Sequence, residues 1–371
     1  MHEDDSTYDV AIVGAGLMGA ATALFLARGG MRCLLVERKG VCAEASGVNA
    51  GNLTMQMTRA ALVPYALEGW EMWTHPLEWL GMDPGVVATD GLSLAFTDAE
   101  AEMLAHRAKA RRERGADIAI VSPTRAREIE PGLSDQVVLA SHCPSDGHVT
   151  ANRTGLALRT ALVEAGVELR ERAPVSAVHP EDGGFAVVSG AATWRARRLV
   201  LAGGVWLEEM LGWLGVRLAI KTLINQLIVT ERLRPVMRTV IGMANGLLSL
   251  KQFTNGTVLI GGGWQGKGDR DRGETEIVPE HMIGNARLAR HAIPALIGTR
   301  VVRAWLGFEA ETDDAMPIIG AVPGVPGAFV IGSIHSGYTS GPYMARLLAE
   351  RMLDRDPELP LFDPARLLGT A

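Results

Sequence analysis

The sequence predicts an α/β protein in which a parallel βαβ unit at the N-terminus is joined to a mainly antiparallel sheet from the middle of the chain. Three observations predict it. Residues 9–39 read as an apolar strand, a glycine-rich turn, a helix and a second apolar strand. The segments INQLIVTER, LLSLKQF and TVLIGGGW carry strand patterns with no helix between them. Near the C-terminus another apolar strand, AFVIG, runs into a second glycine-rich turn and a helix.

The first unit is DVAIVGAGLMGAATALFLARGGMRCLLVERK, with Gly14, Gly16 and Gly19 in the turn and Glu37 closing the second strand. That spacing suits the ADP half of a dinucleotide. Gly14 allows the tight turn, Gly16 lets the backbone approach a pyrophosphate, and Gly19 lets helix and strand pack closely. The backbone N–H groups where the helix opens, at Leu17 and Met18, face the phosphates, and the helix dipole favours negative charge there. Glu37 is suited to accept hydrogen bonds from ribose hydroxyls and would repel a 2′-phosphate, which disfavours NADP. A glycine turn that merely packs a helix does not explain the acid. This unit alone leaves NAD and FAD open.

Beyond Glu37, ASGVNAGNLTMQ (Ala45 to Gln56) reads as a loop, followed by a helix whose Trp70, Trp73 and Trp79 suit packing. GVVATDGLSLAFTDAEAEML reads as two short strands and an acidic helix start. Ala99 to Arg114 is a charged helix ending in AHRAKARRERG, read as a solvated face. GHVTANRTGLALRTALVEAG is a turn and an amphipathic helix, with His148 at the helix start. VELRERAPVSAVHPEDGGFAVVSG holds short strands with a turn at residues 182–184. RRLVLAGGVWLEEML is a strand ending at Ala202, Gly203 and Gly204, and IVPEHMIGNARLARHAIPAL is a helix. The last helix is expected to open near Pro342.

Composition narrows the function. The chain has 371 residues, enough for two domains, with 47% hydrophobic and 21% charged residues. A net charge of −6 offers no footprint for nucleic acid. Cys33, Cys42 and Cys143 make no disulfide framework, and no spaced His/Cys cluster predicts a metal. The start, MHEDDSTYD, lacks the pattern of a signal peptide, and no apolar run reaches membrane-spanning length, so a cytoplasmic protein is expected. Two glycine-rich strand-to-helix turns, at Gly14 and Gly337, bracket the chain. A simple NAD enzyme has no task for the second. A cofactor too long for one βαβ unit does, and this points to FAD.

Taken together, GAGLMG with Glu37, SGVNAGN, LVLAGGVW, NQLIVTE, VLIGGG, and TDDAMPIIG with GSIHSGYTSGP resemble the FAD-dependent D-amino-acid oxidase superfamily over nearly the whole chain. That group includes glycine oxidase, sarcosine oxidase, D-amino-acid dehydrogenases and the FAD subunits of opine oxidoreductases. The resemblance implies a glutathione-reductase-like FAD-binding Rossmann domain from residues 1–82, 146–215 and 313–371. It also implies an α+β substrate domain with a mainly antiparallel sheet from residues 83–145 and 216–312. It puts Gly14, Gly16 and Gly19 at the diphosphate, Glu37 at the ribose and Arg38 beside adenine. Ser46 and the Asn49–Ala50–Gly51–Asn52 turn lie along diphosphate and flavin. Val175 meets adenine through its backbone, and Ala202, Gly203 and Gly204 pass close to the cofactor. Gly337, Tyr338, Thr339 and Ser340 precede or open the last helix, whose N-terminus faces the flavin pyrimidine, where backbone N–H groups favour the charge of reduction.

The resemblance implies oxidation of a C–N bond in an amino acid or secondary amine, with hydride passing to flavin N5 and the imine then hydrolysed. Departures bear on the substrate. Where glycine oxidase carries a carboxylate-binding arginine, this chain has Glu309. Where sarcosine oxidase carries a lysine it has Thr339, and Gly307 stands in place of that enzyme's flavin-linked cysteine, which excludes a cysteinyl bond there. Arg59, Lys251, Gln56 and Arg303 are the alternative anchors, and Lys267 is a loose match to an oxygen-activating lysine. Candidate catalytic residues are His335, Glu309 and Tyr338. Glu309 is read either as a site for a cationic substrate group or as a surface acid paired with Arg303. His335 is read as near the flavin or as a loop histidine, and Trp264 as pocket wall or core. The partner expected is a small-molecule amine or amino acid, with a second subunit or electron acceptor. Two other readings are an FAD subunit of a multi-subunit oxidoreductase and an FAD-dependent 2-hydroxy-acid oxidoreductase.

Overall fold

A computed structural model describes residues 7–333 and 337–368. The chain runs β1 (Tyr8–Val13), α1 (Leu17–Arg28), β2 (Cys33–Val36), α2 (Ala45–Val48), β3 (Asn52–Leu53), α3 (Val63–Thr74), α4 (Pro76–Leu80), β4 (Val87–Ala95) and α5 (Asp98–Arg112). It continues with β5 (Ala119–Val121), α6 (Pro123–Ile129), β6 (Leu139–His148), α7 (Ala151–Glu164), β7 (Glu168–Arg170), β8 (Ala177–Glu181), β9 (Gly184–Ser189), β10 (Ala192–Leu201) and α8 (Leu207–Gly212). It ends with β11 (Lys221–Arg232), β12 (Val240–Met243), β13 (Ser249–Gln252), β14 (Thr257–Gly261), β15 (Lys267–Asp269), β16 (Glu274–Glu276), α9 (Pro279–Ala292), β17 (Val301–Glu311), β18 (Ile318–Ala321), β19 (Ala328–Gly332) and α10 (Gly337–Met352).

Two large sheets organise these elements. The first has the order β18-β19-β10-β1-β2-β7, with β9 on β10 and β8 on β9. Its centre is parallel: β1 pairs with β2 and β10, and β10 with β19. Both faces are covered, as parallel strands require. Val10 and Ile12 point into a core shared with α1, α7 and α10, while Ala11 and Val13 point into a second core shared with α8. The second sheet has the order β17-β11-β14-β13-β12-β4-β6-β3, with β5 on β6. Its pairings are antiparallel except β12 with β4. The three strand patterns from the middle of the sequence become β11, β13 and β14 of this one sheet. β3 and the end of β6, from the stretches 1–82 and 146–215, also pair within it.

Four local expectations are corrected. The two short strands expected before residue 96 are one strand, β4, whose irregular register against β6 falls between Thr89 and Gly91. The expected loop of residues 45–56 contains α2 and β3. His148 closes β6 opposite Asn52 rather than starting a helix. The last helix begins at Gly337, and Pro342 lies inside it. Proline in a helix leaves the carbonyl four residues earlier without its donor. That carbonyl is Tyr338 O, and Trp73 Nε1 donates to it at 2.6 Å.

Among the described residues, no helix is long and apolar enough to cross a membrane. None of their His, Cys, Asp and Glu side chains group for a metal ion.

Candidate functional site

A cavity of about 1060 Å³ runs from the first glycine turn to the second sheet. This exceeds the ~300–1,000 Å³ of ordinary small-molecule pockets. One end is built at the C-terminal edge of the parallel strands, where helix N-termini converge. Gly14 has φ of +103°, and a Cβ there would stand 2.5 Å from Ala202 O. At Gly16 an added Cβ would meet only Ser46 Oγ at 3.4 Å, so the backbone lies open to the cavity. Ser46 Oγ accepts the Leu17 N–H at 2.9 Å, which brings the residue to the helix start.

Glu37 is buried and doubly engaged. Its Oε2 accepts the Ala15 N–H and its Oε1 the Lys39 N–H, each at 2.8 Å. A carboxylate offers about four lone-pair sites, so acceptor capacity remains for a ribose. Next to it, the Arg38 guanidinium lies 3.5 Å over the Trp206 ring and pairs with Glu44 at 2.6 Å. Val175 joins Trp206 in lining this end.

Further along, the cavity passes Asn49, Ala50 and Asn52, then Gly337 and Tyr338. Thr339 Oγ1 accepts the Thr54 N–H at 3.0 Å and reaches Asn52 O at 3.4 Å. Gly51, Thr339 and Ser340 stand behind this wall rather than in it. Ser340 Oγ is buried and has no hydrogen-bond partner among the described residues. The Tyr338 hydroxyl donates to Ser46 O at 2.6 Å, and its ring stacks on Trp73. Burial raises its pKa well above the ordinary value. Tyr338 therefore braces the wall as a neutral phenol. His335 lies outside the described residues.

The far end belongs to the second sheet. Glu309 lines it and accepts a hydrogen bond from Asn225 Nδ2. Asn225 Oδ1 accepts from Gln265 Nε2 at 2.7 Å, and Gln265 Oε1 accepts the Ile224 N–H at 2.7 Å. Every donor in this relay points toward Glu309, an arrangement that favours a carboxylate anion. The surface pairing with Arg303 does not occur: Arg303 is exposed, beside Trp305. Nor does Gln56 offer an anchor, since its amide serves Gly91 O, Ser141 O and Ser141 Oγ. Lys251 is buried and donates to Ala50 O and, at 2.9 Å, to Asn52 Oδ1, and burial holds its ammonium well below its ordinary pKa. Lys251 thus supports the Asn49–Asn52 turn from behind. Lys267 is exposed on β15. Trp264 is not in the wall; its indole N–H donates to Leu247 O at 2.9 Å. Of the alternative anchors only Arg59 lines the cavity without being spent inside the fold, and it pairs with Glu311 at 3.0 Å.

The basic helix read as a solvated face is α5: His106, Arg107, Lys109 and Arg112 are exposed, and His106, Arg107 and Arg111 also border the cavity. Leu104 and Ala108 bury the inner face of the helix, and Arg107 and Arg111 sit one turn apart beside it. Thr97 caps the helix by accepting the Glu100 N–H, and Glu100 ties it to Phe96 N and to Asn245. Asn225 and Gln265 were also missed, because amides in strands and loops carry no motif.

The open backbone at Gly16, the remaining acceptor capacity of Glu37 and the length of the cavity fit FAD. Comparisons with known proteins agree. One of the subunits of opine oxidase from Agrobacterium tumefaciens (strain Ach5) is 28% identical over 378 residues, covering 96% of this chain and 97% of the relative. Glycine oxidase of Geobacillus kaustophilus (strain HTA426) is 28% identical over 352 residues, covering 92% of each. The crystal structure of glycine oxidase from Geobacillus kaustophilus superposes with a TM-score of 0.88 at 27% identity, covering 98% of this chain and 99% of that one. L-proline dehydrogenase from P. horikoshii shares the fold, with a TM-score of 0.89 at 21% identity and coverage of 97% and 98%. With the model of the DAO family of FAD dependent oxidoreductases matching residues 9–351, this chain belongs to that family and its cofactor is FAD.

Proposed function

We propose that this enzyme oxidises the C–N bond of an amino acid or secondary amine, that Glu309 receives the nitrogen as an ammonium, and that the nitrogen gives up its proton to solvent so that the neutral amine's lone pair forms the imine as hydride leaves the carbon. The observation that carries the reading is the donor relay Ile224–Gln265–Asn225, which ends on a carboxylate lining the same cavity as the FAD residues. Bound FAD supplies the acceptor for a hydride from the carbon that bears the nitrogen. The chain's own residues bind and orient. Glu309 attracts the ammonium, and Leu227, Met243 and Leu248 give the pocket apolar walls that strengthen that attraction by excluding water. The Tyr338 hydroxyl is engaged with Ser46 and takes no proton from substrate.

The relatives named for opine and glycine oxidation fit this substrate class. The test is turnover of a panel of primary and secondary amino acids with an artificial electron acceptor, with the products identified by mass spectrometry. The reading expects a carbonyl product and a released amine in equal amounts. An intact C–N bond in every product overturns it.

A second reading concerns assembly. The chain covers 97% of a protein named as one subunit of an opine oxidase, so we also propose a partner chain for electron transfer or stability. Co-purification from the native source decides it; a protein fully active and alone in solution argues against it.

A further inference from the structure

We propose that α5 supplies the substrate anchor that position 309 does not, with Arg107 and Arg111 recognising a carboxylate remote from the reacting nitrogen, so that the pocket prefers N-substituted amino acids bearing two carboxylates. The inference rests on the amine-oxidation reading above.

Both guanidinium groups line the cavity, and neither has an ion-pair partner among the described residues. Arg107 donates from Nη1 to Ala244 O at 2.6 Å, and Arg111 from Nε to Thr58 O at 2.7 Å. Each guanidinium has five N–H donors, so most remain unengaged by protein. Arg111 is largely withdrawn from water; burial, and then the charge of Arg107, pull it down to about 10, while Asp146 raises it. It stays charged at neutral pH. Two like charges one helical turn apart, one of them poorly hydrated, form a costly arrangement that an incoming carboxylate relieves.

The cluster and Glu309 line the same cavity. Thr58 O takes the Arg111 bond, Arg59 next to it pairs with Glu311 at 3.0 Å, and Glu311 is two residues from Glu309 on the same face of β17. The cavity thus carries an acid for nitrogen and a pair of arginines for carboxylate. A secondary amine flanked by two carboxylates matches both.

The test uses the holoenzyme and two sulfur analogues that cannot undergo amine oxidation, 2,2′-thiodiacetate with two carboxylates and methylthioacetate with one. Binding is followed by calorimetry and by perturbation of flavin absorbance. A charge-assisted anchor predicts roughly 10–100-fold tighter binding of the dicarboxylate. That ratio falls toward one in Arg107→Gln and Arg111→Gln and is partly kept in Arg111→Lys. Should Arg111→Gln fail to fold, Arg107→Gln decides, since Arg107 is exposed at the rim. Equal binding of the two probes by the wild type, or an unchanged ratio in the variants, overturns the proposal. The outcome is separable from the reading it rests on. If no amine is oxidised, the reaction is misassigned whatever the ratio; if amines are oxidised and the ratio does not move, only the anchor fails.

Discussion

Thr339 Oγ1 accepts the backbone N–H of Thr54 at 3.0 Å, joining points 285 residues apart in sequence. The bond clasps α10 to the segment that follows the Asn49–Asn52 turn, and both elements border the cavity. Thr339→Val removes the acceptor and leaves a buried N–H unpaired, which costs about 1–3 kcal/mol. Thr339→Ser keeps the bond. Urea unfolding should separate the two variants by that amount, and FAD should dissociate faster from the valine form. Equal stability of the two would show that the clasp carries no load.

Glu37 organises the other end through its bonds to Ala15 N and Lys39 N. Glu37→Gln presents an NH₂ to one of these donors and halves the acceptor capacity toward ribose. FAD affinity should fall roughly 10–100-fold, the loss of one or two charge-assisted bonds. Quenching of flavin fluorescence on titrating apoprotein measures it.

At Glu309 charge and shape can be separated. Glu309→Gln keeps the size and the Asn225 contact while removing the negative charge. It should raise KM for cationic amines by about tenfold, the scale of one ionic hydrogen bond. Glu309→Arg should shift preference toward simple α-amino acids, whose carboxylate it would bind as a bidentate pair. An identical substrate profile in both variants would remove Glu309 from the pocket.

His148 gives a pH signature. It is 4% exposed, and burial, then the charge of Lys251, lower its pKa to about 3. The unfolded chain takes up this proton near pH 6.5 and the folded one does not. The resulting contribution is present above pH 6.5 and is lost as pH falls toward 3, at about 1.4 kcal/mol per unit. His148→Gln should flatten the decline of Tm between pH 6.5 and 5. Asp146, raised to about 6 by burial, acts in the opposite sense, losing its contribution as pH rises from 3.8 to 6. Being present in both proteins, it cancels in the comparison.

The βαβ unit and its acid were legible because their physics is local. A tight turn, an approaching backbone and an acid at a strand end fall within one βαβ unit. The helix start was misread at Pro342 because the compensating donor, Trp73, comes from a helix far away in sequence. The substrate end was less legible because it is assembled from α5, the 54–59 segment, β11 and β17, none of which carries a spacing rule. Arg107 is exposed as the solvated reading expects, and only the tertiary fold shows that it and the half-buried Arg111 also border the cavity.

Anaerobic flavin absorbance tests the central claim most directly. Purified protein should be yellow, and secondary amino acids should bleach it while the matching 2-hydroxy acids leave it coloured. A colourless protein that takes up no FAD, or bleaching by hydroxy acids and by no amine, would contradict the account.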